Sequence, residues 1–584
     1  MNGCREAADA LRAELRRRSL DGFVVPRADE HQGEYVPPSA ARLAWLTGFT
    51  GSAGVAVLLL EKGAVFSDGR YTLQMPEQVD TEVFECLHIG DDPPTEWIAA
   101  NLPSGGALGY DPWLHVEREV RRFEEAVGKA GGRLVACEDN PLDAVWADRP
   151  APPAAPIVAH DIAHAGRDSA DKRRELAAAL AGAGRDAAVL TLPDSIAWLL
   201  NVRGGDVSHT PLPLCFALLD REGRVELFVD PAKPAPGLGE HLGNEVSLAP
   251  PEAFGPALDA LTARTVQVDA ASAPAWVLSR LEAAGAELVR ERDPCILPKA
   301  CKNEGEIAGT RAAHRRDAGA MADFLAWLDR EGPSGRQTEL SAAARLHGCR
   351  EKLPLFRDLS FPTISGAGPN GAIVHYGVTE ATDRVLAPGM LYLVDSGAQF
   401  LDGTTDITRT VAIGTPTDHQ RACFTRVLKG HIALATARFP EGTTGAQLDA
   451  LARAPLWQGG LDFDHGTGHG VGSYLSVHEG PQRVARSGSE PLLAGMIVSN
   501  EPGYYEAGAF GIRIENLLLV RGDPDVPEML SFETLTFAPI DRRLIDTALL
   551  APAERDWLNA YHARVRKIAA CEDPLWLEAA TAPI

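Results

Sequence analysis

The first half of the chain contains two segments that look like copies of one α/β unit. Three pairs of similar runs occur in the same order: Asp21–Val25 with Asp186–Leu190, Leu43–Leu46 with Ile196–Leu199, and Ala64–Asp68 with Val225–Asp230. Members of a pair lie 153 to 165 residues apart, which is too long a period for a solenoid repeat. The pattern predicts two duplicated α/β domains, although two unrelated α/β domains can share such runs.

Proline-rich stretches divide the chain into three segments. Arg149–Pro156 contains four prolines and cannot lie inside a helix or a central strand. Asp293–Pro298 is a shorter stop, followed by a charged helical pattern from Lys299 to about Arg330. We therefore expect domains at 1–150, 151–298 and 299–584, of which the first two are the duplicated units. Three or four domains is also the number that 584 residues predict.

Composition narrows the class of protein. The 80 acidic and 56 basic residues give a net charge of −24, which makes nucleic acid or an anionic membrane an unfavourable partner. No apolar run reaches the roughly 18 residues of a membrane span, and the first 20 residues are too charged for a signal peptide. The nine cysteines are odd in number and lack a CxxC pair, as expected of reduced thiols. These features predict a soluble cytoplasmic protein.

The third segment alternates helical and strand-like patterns. Helical patterns cover 303–330, 338–352, 418–437, 444–458 and 553–569; strand-like runs cover 390–394, 406–413, 496–499 and 512–520, and a tail covers 576–584. The residues with catalytic or metal-binding chemistry collect beside these strands.

Two aspartates flank a predicted β-hairpin. Asp395 ends the apolar run Leu391–Val394, and Asp406 begins the next strand-like run. Between them, Phe400–Gly403 carries the Asp-Gly signal of a tight turn. A turn centred there places Asp395 opposite Thr408, with Asp406 as its diagonal neighbour on the same face. Two buried aspartates so placed need a cation or a shared proton, whereas two surface aspartates beside a turn need neither.

Two glutamates flank a second predicted hairpin in the same segment. The midpoint between Glu501 and Glu515 is Gly508, inside the turn-rich stretch Glu506–Gly511. A hairpin centred there places the glutamates almost directly opposite each other, where like charges destabilise the ladder unless something neutralises them. Two such hairpins in one segment indicate a cation site.

Histidines follow in the stretch His465–Gly472 and at His478. The spacing of His465 and His469 would suit a zinc-binding helix, but four glycines in eight residues disfavour a helix. We expect a glycine-rich loop that brings one imidazole to the site, although a structural histidine is the common alternative. Four carboxylates and one imidazole favour Mn²⁺ or a similar ion over a thiolate-bound Zn²⁺. Since four carboxylates exceed the need of one ion, two metal ions are expected.

Several motifs resemble those of one known family. In chain order they are Tyr35–Ser39, Trp45–Gly54, Ser195–Gly204, Ser360–Gly366, Asn370–Tyr376 and Trp557–His562. With the carboxylates and histidines above, they make the chain resemble the Xaa-Pro aminopeptidases (aminopeptidase P), in their long three-domain cytosolic form. The resemblance covers essentially the whole chain. It implies an α/β (α+β) protein with a C-terminal pita-bread catalytic domain preceded by two creatinase-like N-terminal domains.

The resemblance also implies a role for each site residue. The metal ligands would be Asp395 on one ion, Asp406 and Glu515 bridging both ions, and His469 and Glu501 on the other. Substrate-binding residues would be His375, His465, His478, Tyr505 and Arg513. Catalytic residues would be His375, His478 and Glu501. The cofactor would be two divalent ions per chain, Mn²⁺ before Zn²⁺ or Co²⁺.

The implied activity is removal of the N-terminal residue from peptides with proline in the second position. A metal-bridging hydroxide would attack the Xaa-Pro bond, Glu501 would transfer the proton, and His375 and His478 would donate hydrogen bonds to the oxyanion. A homodimer is the form usual in the family.

Three other functions compete with this one. Prolidase, an Xaa-Pro dipeptidase, uses the same five ligands, but the duplicated N-terminal domains favour aminopeptidase P. A non-catalytic pita-bread module that binds peptides or proteins would usually have lost metal ligands, whereas all five ligand positions are filled here. A creatine-type amidinohydrolase is disfavoured, because that activity works without this ligand set.

Overall fold

The computed structural model describes residues 2–584. These residues divide into two compact units. Unit 1 extends to His160 and resumes over Asp168–Ile296, and unit 2 comprises Asp161–Arg167 with Leu297–Ile584. Within the described residues, no helix combines the length and the apolar character that a membrane crossing requires.

The first part of unit 1 is built on a mixed six-stranded sheet. Its strands are β1 (Gly22–Pro26), β2 (Val55–Leu59), β3 (Gly63–Ser67), β4 (Glu85–His88), β5 (Ala107–Tyr110) and β6 (Arg133–Ala136). Their spatial order is β4-β3-β2-β1-β5-β6; β1-β2 and β2-β3 are antiparallel, and the other pairs are parallel. The helices are α1 (Asn2–Arg17), α2 (Arg42–Thr47), α3 (Gln74–Gln78), α4 (Pro94–Asn101) and α5 (Glu117–Lys129).

The two faces of this sheet belong to two separate hydrophobic clusters. Phe23 and Val25 of β1 lie in one cluster with Leu11 of α1. Val24, between them, lies in the other with Ile98 of α4. Successive side chains of a strand point to opposite faces, so the continuous apolar run of β1 is covered by helices on both sides.

The second part of unit 1 repeats this topology. Its strands are β7 (Val158–Ala159), β8 (Ala187–Leu190), β9 (Val202–Arg203), β10 (Phe216–Asp220), β11 (Val225–Phe228), β12 (Val246–Ala249), β13 (Thr265–Val268) and β14 (Glu287–Arg290). Six of them form a sheet in the order β12-β11-β10-β8-β13-β14, with the same directions as the first sheet; β7 and β9 pair separately. The helices of this part are α7 (Ser169–Gly182), α8 (Pro193–Leu200), α9 (Leu238–Leu242), α10 (Phe254–Asp259) and α11 (Ala275–Ala283). The short helix α6 (Ile162–Ala165) precedes them in the chain and belongs to unit 2.

The third segment contains seven α-helices within the described residues, and five of them begin within one residue of a predicted start. They are α12 (Ile296–Ala300), α13 (Glu304–Glu331), α14 (Glu339–Arg350), α15 (Asp418–Ala435), α16 (Gly445–Trp457), α17 (Pro552–Ile568) and α18 (Pro574–Ala580). Asn303 and Glu306 form a capping box at the start of α13, which satisfies amide groups that have no partner within the helix.

The strands of unit 2 form four sheets. The strands are β15 (Phe356–Leu359), β16 (Ile364–Ala367), β17 (Leu391–Ser396), β18 (Ala398–Phe400), β19 (Gly403–Thr404), β20 (Ile407–Ala412), β21 (Arg438–Pro440), β22 (Gly468–Gly470), β23 (Glu479–Val484), β24 (Ile497–Asn500), β25 (Gly503–Glu506), β26 (Phe510–Arg513), β27 (Asn516–Gly522) and β28 (Met529–Thr534). The sheets are β15-β18-β19, β16-β17-β20, β21-β28-β27-β24-β22-β23 and β25-β26.

Three sequence-based expectations differ from the structure. The strand expected over 512–520 is divided, because β26 ends at Arg513 and β27 begins at Asn516. The stop at Asp293–Pro298 contains the start of α12, where a proline is tolerated because first-turn amides need no helical partner. The tail at 576–584 contains most of α18, which the Asp573 side chain caps.

Candidate metal centre

The hairpin predicted around Asp395 and Asp406 is present in the predicted register. Asp395 of β17 is paired with Thr408 of β20, and Asp406 directly precedes β20. Asp395 and Asp406 are 7% and 4% exposed. They are therefore buried on one face of the hairpin and are not surface residues beside a turn.

The second predicted hairpin is also present and continues across two ladders. Asn500 is paired with Asn516 in β24-β27, and Gly503 is paired with Arg513 in β25-β26. Glu501 and Glu515 lie between these two ladders in the same register, so they are directly opposite each other. This confirms the register inferred from the midpoint at Gly508.

The glycine-rich histidine segment is not helical, as expected, but its centre is the short strand β22 and not a loop. His469 lies in β22, between Gly468 and Gly470. A Cβ atom at Gly468 would collide with the carbonyl oxygen of Ser499 in β24. Only glycine lets the backbone approach so closely, so these glycines bring His469 against the strand that leads to Glu501.

The four carboxylates and the imidazole converge. Asp406, His469 and Glu515 offer ligand atoms that all lie within 4.8 Å of one another. Nε2 of His469 is 3.4 Å from Oδ2 of Asp406 and 3.7 Å from Oε1 of Glu501. On the other side, Thr408 lies opposite Asp395 and donates a hydrogen bond of 2.8 Å to Oε2 of Glu515.

Several buried carboxylate oxygens have no hydrogen-bond partner within residues 2–584. They are Oδ1 of Asp395, Oδ1 of Asp406 and Oε1 of Glu515. A buried charged oxygen without a partner is strongly unfavourable. Three such oxygens in one cluster of carboxylates match the needs of hard divalent cations, which bind oxygen ligands. The donor set therefore fits a metal centre.

The pKa values of the carboxylates show the same unfavourable electrostatics. Burial, followed by the charges of Asp406, Asp395 and Glu501, raises the pKa of Glu515 well above its usual range. Burial raises the pKa of Asp395 to about 6, although Arg513 opposes the rise. Burial also raises the pKa of Glu501, against the lowering effect of His469. A bound cation would stabilise the ionised carboxylates and so oppose these shifts.

The imidazole of His469 is oriented for metal binding. Its Nδ1 lies 2.9 Å from the carbonyl oxygen of Gly470. Since a carbonyl only accepts, Nδ1 carries a proton and Nε2 faces the carboxylates. Without a cation, burial disfavours the charged ring, but Asp406 and Glu501 outweigh it and raise the pKa of His469 to about 9. A metal ion bound at Nε2 would replace the proton that this nitrogen carries in the cation-free protein.

A chain of hydrogen bonds connects Asp395 with His465. Arg513 donates to Oδ2 of Asp395 at 2.7 Å and to the Tyr505 hydroxyl at 2.6 Å. That hydroxyl lies 2.8 Å from Nε2 of His465, whose Nδ1 is 2.7 Å from the carbonyl of Gly466. Because Nδ1 must carry the proton, Nε2 accepts from Tyr505. The pKa of Tyr505 rises to about 12 through burial.

The two remaining predicted histidines lie beside this group. The ring of His478 is 4.3 Å from that of His469, centroid to centroid, at 75°. His375 lies in a turn after the 3₁₀ helix Gly368–Ala372. The carbonyl of Val374, which precedes it, accepts from Arg513 at 3.4 Å. The structure thus brings all the sequence-predicted site residues into one neighbourhood.

Sequence reasoning missed a buried ion pair beside the aspartates. Arg350 of α14 and Asp317 of α13 form a bond of 2.7 Å. Arg350 also donates to the carbonyl of Gly397, and Asp317 accepts from the hydroxyl of Thr405 at 2.9 Å. Gly397 is two residues after Asp395 and Thr405 directly precedes Asp406, so the pair contacts both strands of the hairpin beside the aspartates. No local pattern signals this pairing, because it depends on how two helices pack.

Sequence reasoning also missed Glu339, because its contacts likewise depend on how distant segments pack. It is completely buried, and its carboxylate accepts from Nδ2 of Asn370 at 3.0 Å and from the Tyr376 hydroxyl at 3.1 Å. Asn370 and Tyr376 enclose the segment that carries His375. The motif identified these two residues, but nothing in it identified their common acceptor.

Comparisons with known proteins agree with this geometry. The sequence model of Metallopeptidase family M24 matches residues 308–522, and that of the C-terminal region of this peptidase matches 528–584. Two models described as Creatinase/Prolidase N-terminal domain match 8–144 and 148–306. Aminopeptidase P2 of Arabidopsis thaliana is 42% identical over 94% of this chain and 83% of its own length. The chain belongs to the aminopeptidase P group of family M24.

One solved structure shares the fold of this aminopeptidase P homologue over its whole length, and another shares it over part of the chain. X-prolyl aminopeptidase from Caenorhabditis elegans, described as a cytosolic enzyme with a di-nuclear active site, is 32% identical, with a TM-score of 0.94 and 100% of both chains covered. An Xaa-Pro dipeptidase from Bacillus anthracis covers 64% of this chain and 99% of its own, with a TM-score of 0.52 and 24% identity. The second likeness is one of fold alone. The protein is an M24 metallopeptidase with a pita-bread catalytic domain after two creatinase-type N-terminal domains.

Proposed function

We propose that this enzyme removes the first residue from peptides that have proline in the second position and at least one residue after it. The observation that carries the proposal is the buried cluster of Asp406, His469 and Glu515, with its unpartnered carboxylate oxygens. It lies in a chain that is similar over nearly its full length to aminopeptidases P.

Two divalent ions are the proposed cofactor. Asp395 would bind one ion, Asp406 and Glu515 would be shared, and His469 and Glu501 would complete the other. Four carboxylates to one imidazole favour Mn²⁺, with Zn²⁺ and Co²⁺ as alternatives. Such ions, when bound, supply Lewis-acid polarisation of the scissile carbonyl and lower the pKa of water.

The protein's own groups would transfer the proton and bind the reacting atoms. Glu501 is 18% exposed at its side chain and borders the cluster, so it can take a proton from the attacking water. The same carboxyl can deliver this proton to the proline nitrogen as the bond breaks. His375 and His478 would donate hydrogen bonds to the developing oxyanion.

The pocket residues would recognise the proline ring. Tyr505 and His478 are the proposed walls of the slot for this ring, with His465 holding the Tyr505 hydroxyl at 2.8 Å. Arg513 would keep Asp395 ionised and Tyr505 in place through its two hydrogen bonds. A substrate with alanine second would lose the contacts of the ring.

Prolidase activity is the competing function, and a matched set of peptides tests it. The substrates are Xaa-Pro-Pro, Xaa-Ala-Pro, the dipeptide Xaa-Pro and an N-acetylated Xaa-Pro-Pro. We expect cleavage of the first, with kcat/KM at least about 10²-fold lower for Xaa-Ala-Pro, since a few kcal/mol of transition-state contact is lost. Faster cleavage of the dipeptide would make the enzyme a prolidase. Cleavage of the acetylated peptide would show that the free amine is not bound.

Three further features belong to the proposal. The proposed domains are 1–150, 151–298 and 299–584, and the strand order shared by the sheets of the first two supports their being duplicates. A cytosolic location is supported by nine cysteines that form no disulfide among the described residues. A homodimer is expected from the family resemblance, and sedimentation analysis of the purified enzyme tests it.

A further inference from the structure

The ladder that places the two glutamates is interrupted beside them. The amide of Ile514 donates to the carbonyl of Pro502 at 3.3 Å. In an antiparallel pair of this kind the bond is normally returned, but Pro502 has no N–H. The carbonyl of Ile514 therefore cannot receive its ladder hydrogen bond.

The amides of both glutamates are also directed away from this ladder. Glu501 N–H donates to the carbonyl of Thr467 at 2.8 Å, and Glu515 N–H donates to the carbonyl of Thr408 at 3.1 Å. Each glutamate is thus tied to a different neighbouring segment. No hydrogen bond between their own amides and carbonyls sets the distance between them.

A side chain from helix α15 occupies the break. Nδ1 of His431 lies 3.1 Å from the carbonyl oxygen of Asn500 and 3.2 Å from that of Ile514. These carbonyls immediately precede Glu501 and Glu515. One N–H therefore joins the two strands at the position where the proline removed the backbone donor.

Neighbouring groups fix the tautomer of His431. Arg409, which is a donor only, donates to Oδ1 of Asn516 at 2.9 Å. The amide nitrogen of Asn516 then faces Nε2 of His431 at 3.1 Å. Nε2 must accept, so Nδ1 carries the proton and donates to the two carbonyls. Arg409 also donates to the carbonyl of Glu515 at 2.7 Å.

We propose that His431 is a positioning residue for the metal centre, because its Nδ1–H replaces the hydrogen bond that Pro502 cannot make and fixes the separation of Glu501 and Glu515. His431 is fully buried and bonds to the residues next to both glutamates, not to their carboxylates. The inference rests on the proposed metal role of these glutamates. Partners that orient metal ligands typically change metal affinity about 10–100-fold when they are removed.

Two substitutions of His431 separate its two hydrogen-bonding functions. His431→Asn keeps a donor near the position of Nδ1 and loses the acceptor for Asn516. His431→Gln places its amide near the position of Nε2 and loses the donor to Asn500 and Ile514. We expect His431→Gln to weaken Mn²⁺ binding about 10–100-fold and His431→Asn to remain near wild type. Titration calorimetry on the metal-free, full-length protein measures both.

Co²⁺ provides a readout that a general loss of stability would not change. The visible absorption of bound Co²⁺ reports the geometry of its ligands, so His431→Gln should alter the spectrum and His431→Asn should retain it. The matched control is His562→Gln, which alters another completely buried histidine outside the ladder. It should change stability and leave both the Mn²⁺ affinity and the Co²⁺ spectrum unchanged.

The outcomes distinguish this inference from the proposed function. If wild-type protein binds no Mn²⁺, the proposed metal centre and the inference both fail. If wild-type and His431→Gln proteins bind Mn²⁺ with equal affinity and give equal Co²⁺ spectra, only the positioning role fails. If His431→Gln does not fold, Asn516→Leu takes its place, since it removes the donor that orients the His431 ring, and the same two measurements apply.

Discussion

Arg513 donates a hydrogen bond of 2.7 Å to Oδ2 of Asp395, and their side chains are 2% and 11% exposed. A buried arginine next to one of four carboxylates partly compensates their charge in the absence of metal. Its effect is visible at Asp395, whose pKa Arg513 lowers while burial raises it. The arginine is therefore a structural counter-ion as well as part of the proposed substrate pocket.

Replacing Arg513 with methionine should destabilise the metal-free enzyme strongly. Removing one partner of a buried ion pair costs about 3–5 kcal/mol, which corresponds to a fall of roughly 10 °C in the melting temperature of a domain this size. Arg513→Lys should recover only part of the loss, since lysine cannot reproduce the forked hydrogen bonds. Thermal melting in the presence of a chelator measures the change.

A surface pair provides the control for this comparison. Arg311 and Glu533 form an ion pair of 2.7 Å with side chains 38% and 23% exposed. Arg311→Met should cost less than about 1 kcal/mol. If the two arginine variants melted at the same temperature, Arg513 would not be the buried counter-ion described here.

The registers of both hairpins could be predicted because they follow from local rules. The Asp-Gly turn after Leu401 fixed the pairing of Asp395 with Thr408, and the midpoint at Gly508 fixed that of Glu501 with Glu515. A strand has a side-chain period of two, so one register determines which residues share a face. These rules are sufficient to predict that the four carboxylates lie close together.

The remaining parts of the site depend on contacts between distant segments. The sequence 512–520 reads as one strand, because nothing local shows that the amide of Glu515 pairs with Thr408. His431, 69 residues before Asn500 in the chain, completes the ladder. Arg350 and Asp317 meet only because α14 packs beside α13. Such contacts follow from tertiary packing and leave no periodic signal.

Removing a ligand that both metal ions share should lower the metal content more than removing a ligand of only one ion. We expect Asp406→Ala to lose both metal ions, because its carboxylate is proposed to bind both, and Asp395→Ala to lose mainly one. Metal analysis of purified variants after dialysis against Mn²⁺ measures the content. Asp402→Ala is the control, since Asp402 is a buried aspartate of the same hairpin whose partner is Arg316, and it should retain two ions. An Asp406→Ala enzyme with two ions and near-normal activity would show that the ligand roles are wrong.

His375 should affect turnover and not metal content. It lies on a turn held by Arg513 through Val374 and is not one of the five proposed metal ligands. His375→Ala should therefore retain both ions and lose roughly 10²–10⁴ in kcat, the usual effect of a positioned proton or hydrogen-bond donor. The exposed His419, paired with Glu506, provides the control His419→Ala, which should keep wild-type turnover. Loss of metal from His375→Ala would instead make it a ligand.

The buried neutral histidine His562 should make the enzyme less stable in acid. Its Nε2 accepts from the amide of Ile540 at 3.2 Å, so a proton there would displace that bond. Burial, with the charges of Arg409, Arg542 and Arg566, lowers the pKa of His562 to about 3. In the unfolded chain the value is about 6.5.

The sign of the pH dependence follows from these two values. Below about pH 6.5, His562 binds a proton in the unfolded chain but stays neutral in the folded protein down to about pH 3. Stability therefore falls as pH falls through this window. One proton contributes a slope of up to about 1.4 kcal/mol per pH unit. His562→Gln keeps an acceptor for Ile540 and cannot be protonated, so its stability should fall less steeply between pH 6.5 and 4. Urea unfolding of the metal-free proteins at several pH values measures the slopes, and equal slopes would mean that His562 takes up its proton in the folded enzyme.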